Sequence, residues 1–126
     1  MLTLPAAVRI YLALDPVDLR KSIDGLGALV RAGGADLYSG HLYVFRGRRG
    51  DKVKILSWDR GGFVLYYKRL ERGRFRWPEA QAGASEVQMD ATQLTMLLDG
   101  IDLKSVKRPR DWEPKGRQKL DNARAE

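Results

Sequence analysis

The sequence predicts an α+β domain: an antiparallel meander sheet of four to five strands, one long and one short helix, and a basic C-terminal tail. Three observations carry this. Between Gly40 and Pro78 lie three β-rich runs, His41–Arg46, Lys52–Trp58 and Phe63–Leu70. They are separated by turns at Gly47–Asp51 and Asp59–Gly62, and a third turn follows at Glu71–Arg74. Alternation of period two bounded by Gly and Asp is the pattern of hairpins. Ahead of the meander, Leu19, Ile23, Leu26 and Val30 recur at spacings of three and four, the apolar stripe of a helix. Behind it, Asp90–Gln93 has the form of a capping box before Leu94, Leu97 and Leu98.

Taken in order, Ala7–Leu14 alternates as a strand that Asp15-Pro16 breaks. A helix is expected from Val17 or Asp18 to about Arg31, ended by Gly33-Gly34. Gly25 and Gly27 each cost such a helix about 1 kcal/mol against alanine, which points to close backbone contact with a sheet. In the meander one face is expected on this helix. The other is expected to be part aromatic and part cationic, with Tyr43, Tyr66, Trp58, Lys54 and Lys68. Arg74–Trp77 reads as a short continuation stopped by Pro78, Glu79–Ala84 as a linker, and Ser85–Met89 as a short strand. The short helix follows Asp90 and ends at Asp99-Gly100. Residues 1–103 are expected to form one domain. From Lys104 on, apolar residues thin out, and 104–126 reads as a basic, flexible tail.

Composition narrows the function. A chain of 126 residues with 44% hydrophobic content is the size of one globular domain. It has no cysteine, which removes disulfides and thiolate metal sites and fits a reducing cytoplasm. No run approaches a membrane span, and the N-terminus lacks a basic signal-peptide region. The charge is localised. Residues 46–76 hold 11 Lys and Arg against three acids, a net of +8, and residues 104–126 a net of +4, whereas the whole chain is only +7. A basic stretch set in a mildly acidic remainder marks polyanions, nucleic acid first, as partners.

Catalysis finds little support. His41 is the sole histidine, and no serine sits in a nucleophile elbow. The acids Asp15, Asp51, Asp59 and Asp90 have turn or cap explanations, and Gly47–Lys52 lacks the ending of a phosphate loop. No enzyme activity, cofactor or metal is expected. Nucleic-acid binding is better supported. Arg46, Arg48, Arg49 and Lys52 crowd one hairpin tip, and Arg69, Arg72, Arg74 and Arg76 another, with Lys54 between them; hairpins of similar length bring the two groups close at one or both ends of the sheet. Arginine forks suit phosphate and bases; Arg48, Arg49, Lys52, Arg72 and Arg74 are the first candidates for contact, and Trp58 and Tyr66 follow them as candidates for stacking on bases. The same residue types also suit a protein interface.

The residues resemble a known family. Leu4-Pro5, Val8-Arg9-Ile10, the stretch DLRKSIDGLGALV from Asp18, the stretch from Ser39 to Pro78, and QLTMLLDGID from Gln93 are similar to the small accessory protein of the insertion-sequence-sixty-six family of bacterial transposable elements (TnpB type, second open reading frame). The match spans about four fifths of the chain. Leu19 stands where methionine is common, and Ser57 where an aromatic is common. The resemblance implies a non-catalytic protein that assists transposition, with strand cleavage left to a separate transposase. It is unrelated to the RNA-guided nucleases that share the TnpB label. The expected partners are element DNA, the transposase of the same element and a further copy of the chain, with no membrane.

Overall fold

The computed structural model describes residues 8–79 and 82–100. The elements in order are β1 (Ile10–Ala13), α1 (Ile23–Ala32), β2 (Leu42–Arg46), β3 (Lys52–Asp59), β4 (Gly62–Arg69), β5 (Glu86–Met89) and α2 (Ala91–Leu98). The five strands form one sheet in the order β4-β3-β2-β1-β5. The antiparallel meander expected from sequence extends only over β2, β3 and β4. β1 runs parallel to β2, and β5 runs antiparallel to β1 on the far edge, so the sheet is mixed. The cause is connectivity. A helix separates β1 from β2, and a helical crossover returns the chain parallel to where it started. Period-two alternation is blind to strand direction.

Both faces of the sheet are covered. On one, Leu26 and Val30 of α1 pack with Leu37, Tyr43, Phe45 and Leu56. On the other, Leu94, Leu97 and Leu98 of α2 pack with Phe75, Ile10, Leu12, Val44, Val53 and Ile55. There is therefore no single open aromatic and cationic face. Tyr43, Lys54 and Trp58 lie on the side of α1, whereas Tyr66 and Lys68 lie on the side of α2.

The local chemistry explains the boundaries. The helix expected from residue 17 or 18 begins only at Ile23. Asp18 is the reason: its carboxylate accepts from the backbone N–H of Arg20 at 3.0 Å, and its carbonyl accepts from Lys21 at 3.1 Å. That side-chain turn competes with helix, and Leu19 is drawn out of the stripe toward Gly47. Gly27 faces Leu37 and Gly25 faces Lys21, so neither glycine meets the sheet as expected. The stop at Gly33-Gly34 is as read, with Gly34 at φ +82°. The capping box of α2 is present: Gln93 N–H donates to Asp90 Oδ1 at 2.7 Å, and Asp90 N–H to Gln93 Oε1 at 3.0 Å. At its other end Lys68 Nζ donates to the Leu98 carbonyl at 2.7 Å, a cation on orphan C-terminal carbonyls. The β3–β4 turn has positive φ at Arg60 and Gly61, the conformation a two-residue hairpin demands. Arg74–Trp77 forms no strand. The basic tail lies outside the described residues.

Candidate nucleic-acid interface

The two arginine segments meet at one end of the sheet. Lys52 opens β3 opposite Arg69, which closes β4, so the β2–β3 turn and the chain after β4 emerge side by side. Two backbone hydrogen bonds join them: Leu70 N–H to the Asp51 carbonyl at 2.8 Å, and Phe75 N–H to the Gly50 carbonyl at 2.7 Å. Gly50 holds φ +76°, and the Arg74 side chain lies 3.6 Å from the position a Cβ would occupy there. Phe75, 6% exposed, anchors this segment in the core beneath α2. The loop after β1 adds a third wall, because Val17 N–H donates to the Arg46 carbonyl at 2.9 Å. Between that loop and the β2–β3 turn lies an open cleft of about 440 Å³ that includes Asp18, Arg20, Arg48, Arg49, Asp51 and Lys52.

The cations at this end are not equivalent. Arg48, Arg49, Arg72, Arg74 and Arg76 are exposed, and among the described residues none has a carboxylate partner. Lys52 is half-buried in the cleft wall. Arg69 is held by Glu71 at 2.7 Å, and that contact raises the pKa of its guanidinium. Arg46 is a fastener. Its guanidinium donates to the Leu14 carbonyl at 2.9 Å and lies 5.5 Å from the centre of the Trp77 ring. Trp77 in turn donates its indole N–H to the Ala13 carbonyl at 2.9 Å. Together they tie the chain after β4 to the end of β1. Lys54 also works inward, donating to the Lys21 carbonyl at 2.9 Å and covering the Tyr67 ring. Arg46 Nε and Asp51 Oδ1 are buried with no hydrogen-bond partner among the described residues.

The stacking candidates lie elsewhere. Trp58 is at the opposite end of β3, six positions from Lys52 and so about 20 Å away at strand rise. It packs edge-on against Tyr38 and Phe63. Tyr66 packs against the core under α2, on the other face from Trp58. The exposed aromatic nearest the basic end is Tyr67, 51% exposed and two positions from Arg69. Sequence reasoning passed over Tyr67 and Arg20. Register would have found Tyr67, since it pairs with Lys54. Arg20 gave no local signal, because its place depends on the crossover. Its guanidinium grips Asp18 through both oxygens and holds that carboxyl well below the usual carboxylate range. His41 accepts the Arg9 N–H at Nδ1, 2.9 Å away, and is spent on structure. Among the described residues no three metal-ligating side chains converge, and no helix is long and apolar enough to cross a membrane.

The family model for the IS66 Orf2-like protein (TnpB of IS66) matches residues 8–108. The chain belongs to this family. It is therefore a transposition-associated accessory protein, of a family not known for catalysis. It is similar to the uncharacterized protein y4jC of Sinorhizobium fredii, 39% identical over 102 residues, which covers 80% of this chain and 86% of that one. It is also similar to y4hO of the same organism, 37% identical over 108 residues, 85% of this chain and 90% of the relative. No solved structure matches it. The matched region takes in the sheet, both helices and the whole basic end.

Proposed function

We propose that this accessory protein binds DNA of its element, alone or in complex with the transposase, and does so through the basic end of its sheet. One observation carries the reading. The arginines of two segments more than 20 positions apart are fused by the Asp51–Leu70 and Gly50–Phe75 hydrogen bonds into one exposed surface with few acids. Arg48, Arg49, Lys52, Arg72 and Arg74 are the contacts, and Arg69 and Arg76 flank them. Arg46 and Lys54 hold the platform. Trp58 is too far from this end to stack on the nucleotides it grips, and Tyr66 is packed against the core under α2, so binding rests on phosphate and is weakly selective for sequence. Cleavage is left to the transposase.

A second reading is an adaptor that touches the transposase without touching DNA. Tyr38 and Tyr67, 54% and 51% exposed, favour it, because Tyr beside Arg is the composition of interface hot spots. Fluorescence anisotropy with labelled element-end duplex and single strand separates the two. DNA binding requires affinity at low salt that the double variant Arg48→Ala/Arg49→Ala weakens. An adaptor retains transposase binding and shows no DNA affinity. A Mg²⁺ or Mn²⁺ cleavage assay is expected to leave the DNA intact, and cutting that is lost in Asp59→Asn would overturn the non-catalytic reading.

A further inference from the structure

We infer that the free edge of β4 is a self-pairing surface that joins two copies of this chain into one continuous sheet. β4 spans Gly62–Arg69, eight residues, and terminates the sheet. Edge strands of that length are normally blunted by proline, a bulge or a central charge, since a bare row of amides templates pairing with another chain. Here the run Phe63–Tyr67 has none of these, and charge arrives only at Lys68 and Arg69. The tight turn at Arg60-Gly61 makes Asp59 and Gly62 a hydrogen-bonded pair. Alternation then turns the N–H and C=O of Phe63, Leu65 and Tyr67 away from β3. Among the described residues no backbone hydrogen bond engages them.

The strand itself indicates a second copy as the occupant. Antiparallel pairing about a two-fold axis perpendicular to the sheet requires opposed residues to share a face, so only residues of equal parity can meet. With Leu65 on the axis, Phe63 lies opposite the partner's Tyr67, and Val64 opposite the partner's Tyr66. Lys68 falls opposite the partner's Gly62. Outward-facing amides meet outward-facing amides, and no like charges are opposed within the strand. The register one step along puts Val64 and Phe63 against the partner's Lys68 and the partner's Arg69. The exposed apolar side chains concentrate at this edge: Val64 at 40%, Tyr67 at 51%, and Tyr38 at 54%, which leans on Phe63. Pairing covers the first two and places an aromatic on Phe63. Because the strands run antiparallel across the axis, the two Arg48–Arg49 ends point to opposite ends of the joined sheet. Two grips on polyanion would result, a consequence that rests on the function proposed above and that the pairing does not need.

Sedimentation without nucleic acid, from low to high micromolar protein, tests the pairing independently of DNA binding. A concentration-dependent doubling of mass is expected. Tyr67→Pro removes an outward amide and leaves the β3 ladder intact, so it should return the protein to monomer with an unchanged circular dichroism spectrum. Hydrogen exchange of the unaltered protein gives a reading that does not depend on the variant folding. The amides of Phe63, Leu65 and Tyr67 should lose protection on dilution. A chain that stays monomeric throughout, or a dimer whose β4 amides exchange freely at every concentration, would overturn the inference and leave the edge to a different protein.

Discussion

Gly50→Ala probes the joint on which the basic surface depends. Gly50 sits at φ +76°, where an L-residue is strained by about 1–2 kcal/mol. A Cβ there would touch the Arg74 side chain at ordinary van der Waals distance, so backbone strain and not collision sets the cost. The substituted turn can hold its shape and bear the strain, or relax and withdraw the Gly50 carbonyl from the Phe75 N–H. The second course loosens Arg74 and, through it, Arg72. Gly34→Ala is the matched control: φ is +82°, nothing lies within 4 Å, and the site follows α1 away from the basic end. Both variants should lower Tm by about 4–8 °C for each kcal/mol of strain in a domain of this size. Only Gly50→Ala should also weaken DNA binding, with the slope of log affinity against log salt shallower by about one to two contacts. Thermal unfolding and anisotropy on the same samples decide it. Equal stability losses with equal DNA affinity would refute the claim that this turn organises the surface.

Other outcomes follow from the same geometry. Asp90→Ala removes the acceptor of the capping box and should cost about 1 kcal/mol, read as a lower Tm and faster amide exchange in the first turn of α2. Trp58→Ala should cost about 2–3 kcal/mol, less than a fully buried aromatic, yet leave DNA affinity unchanged, because Trp58 lies at the far end of β3. The Asp18 carboxyl, gripped by Arg20, should titrate below its ordinary 3.8. Its pKa is depressed on folding, so its contribution is present above the unfolded value and lost only as pH falls through the lower folded one. Carboxyl NMR titration checks this, and Arg20→Met should raise Asp18 toward the ordinary range, with the backbone N–H of residue 20 still holding it below.

Much of the fold was legible in the sequence, for identifiable reasons. The three runs between Gly40 and Pro78, the stop at Gly33-Gly34 and the box at Asp90–Gln93 are local signals, each fixed by residues within a turn or two. What was not legible depends on residues far apart. The parallel pairing of β1 with β2 follows from the crossover through α1, which alternation cannot report. The start of α1 moved because a carboxylate at Asp18 outcompeted the helix that the stripe implied. The site was legible in part. Arginine density singled out Gly47–Arg76 and put Arg48, Arg49, Lys52, Arg72 and Arg74 first, but counting could not say what Arg46 and Lys54 do. Arg46 is spent on the Leu14 carbonyl and Trp77, and Lys54 on the Lys21 carbonyl. Trp58 and Tyr66 read as one platform because both are aromatic and near in sequence, yet register puts them on opposite faces.

The most direct measurement is the affinity of the full chain for labelled element-end DNA across a salt series. If Arg48, Arg49, Lys52, Arg72 and Arg74 each meet a phosphate, affinity should fall about 500-fold between 50 and 200 mM salt, roughly 0.9 in slope for each contact on duplex. Affinity that is absent at low salt, or that does not change as salt rises, would contradict the assignment of this basic end to DNA.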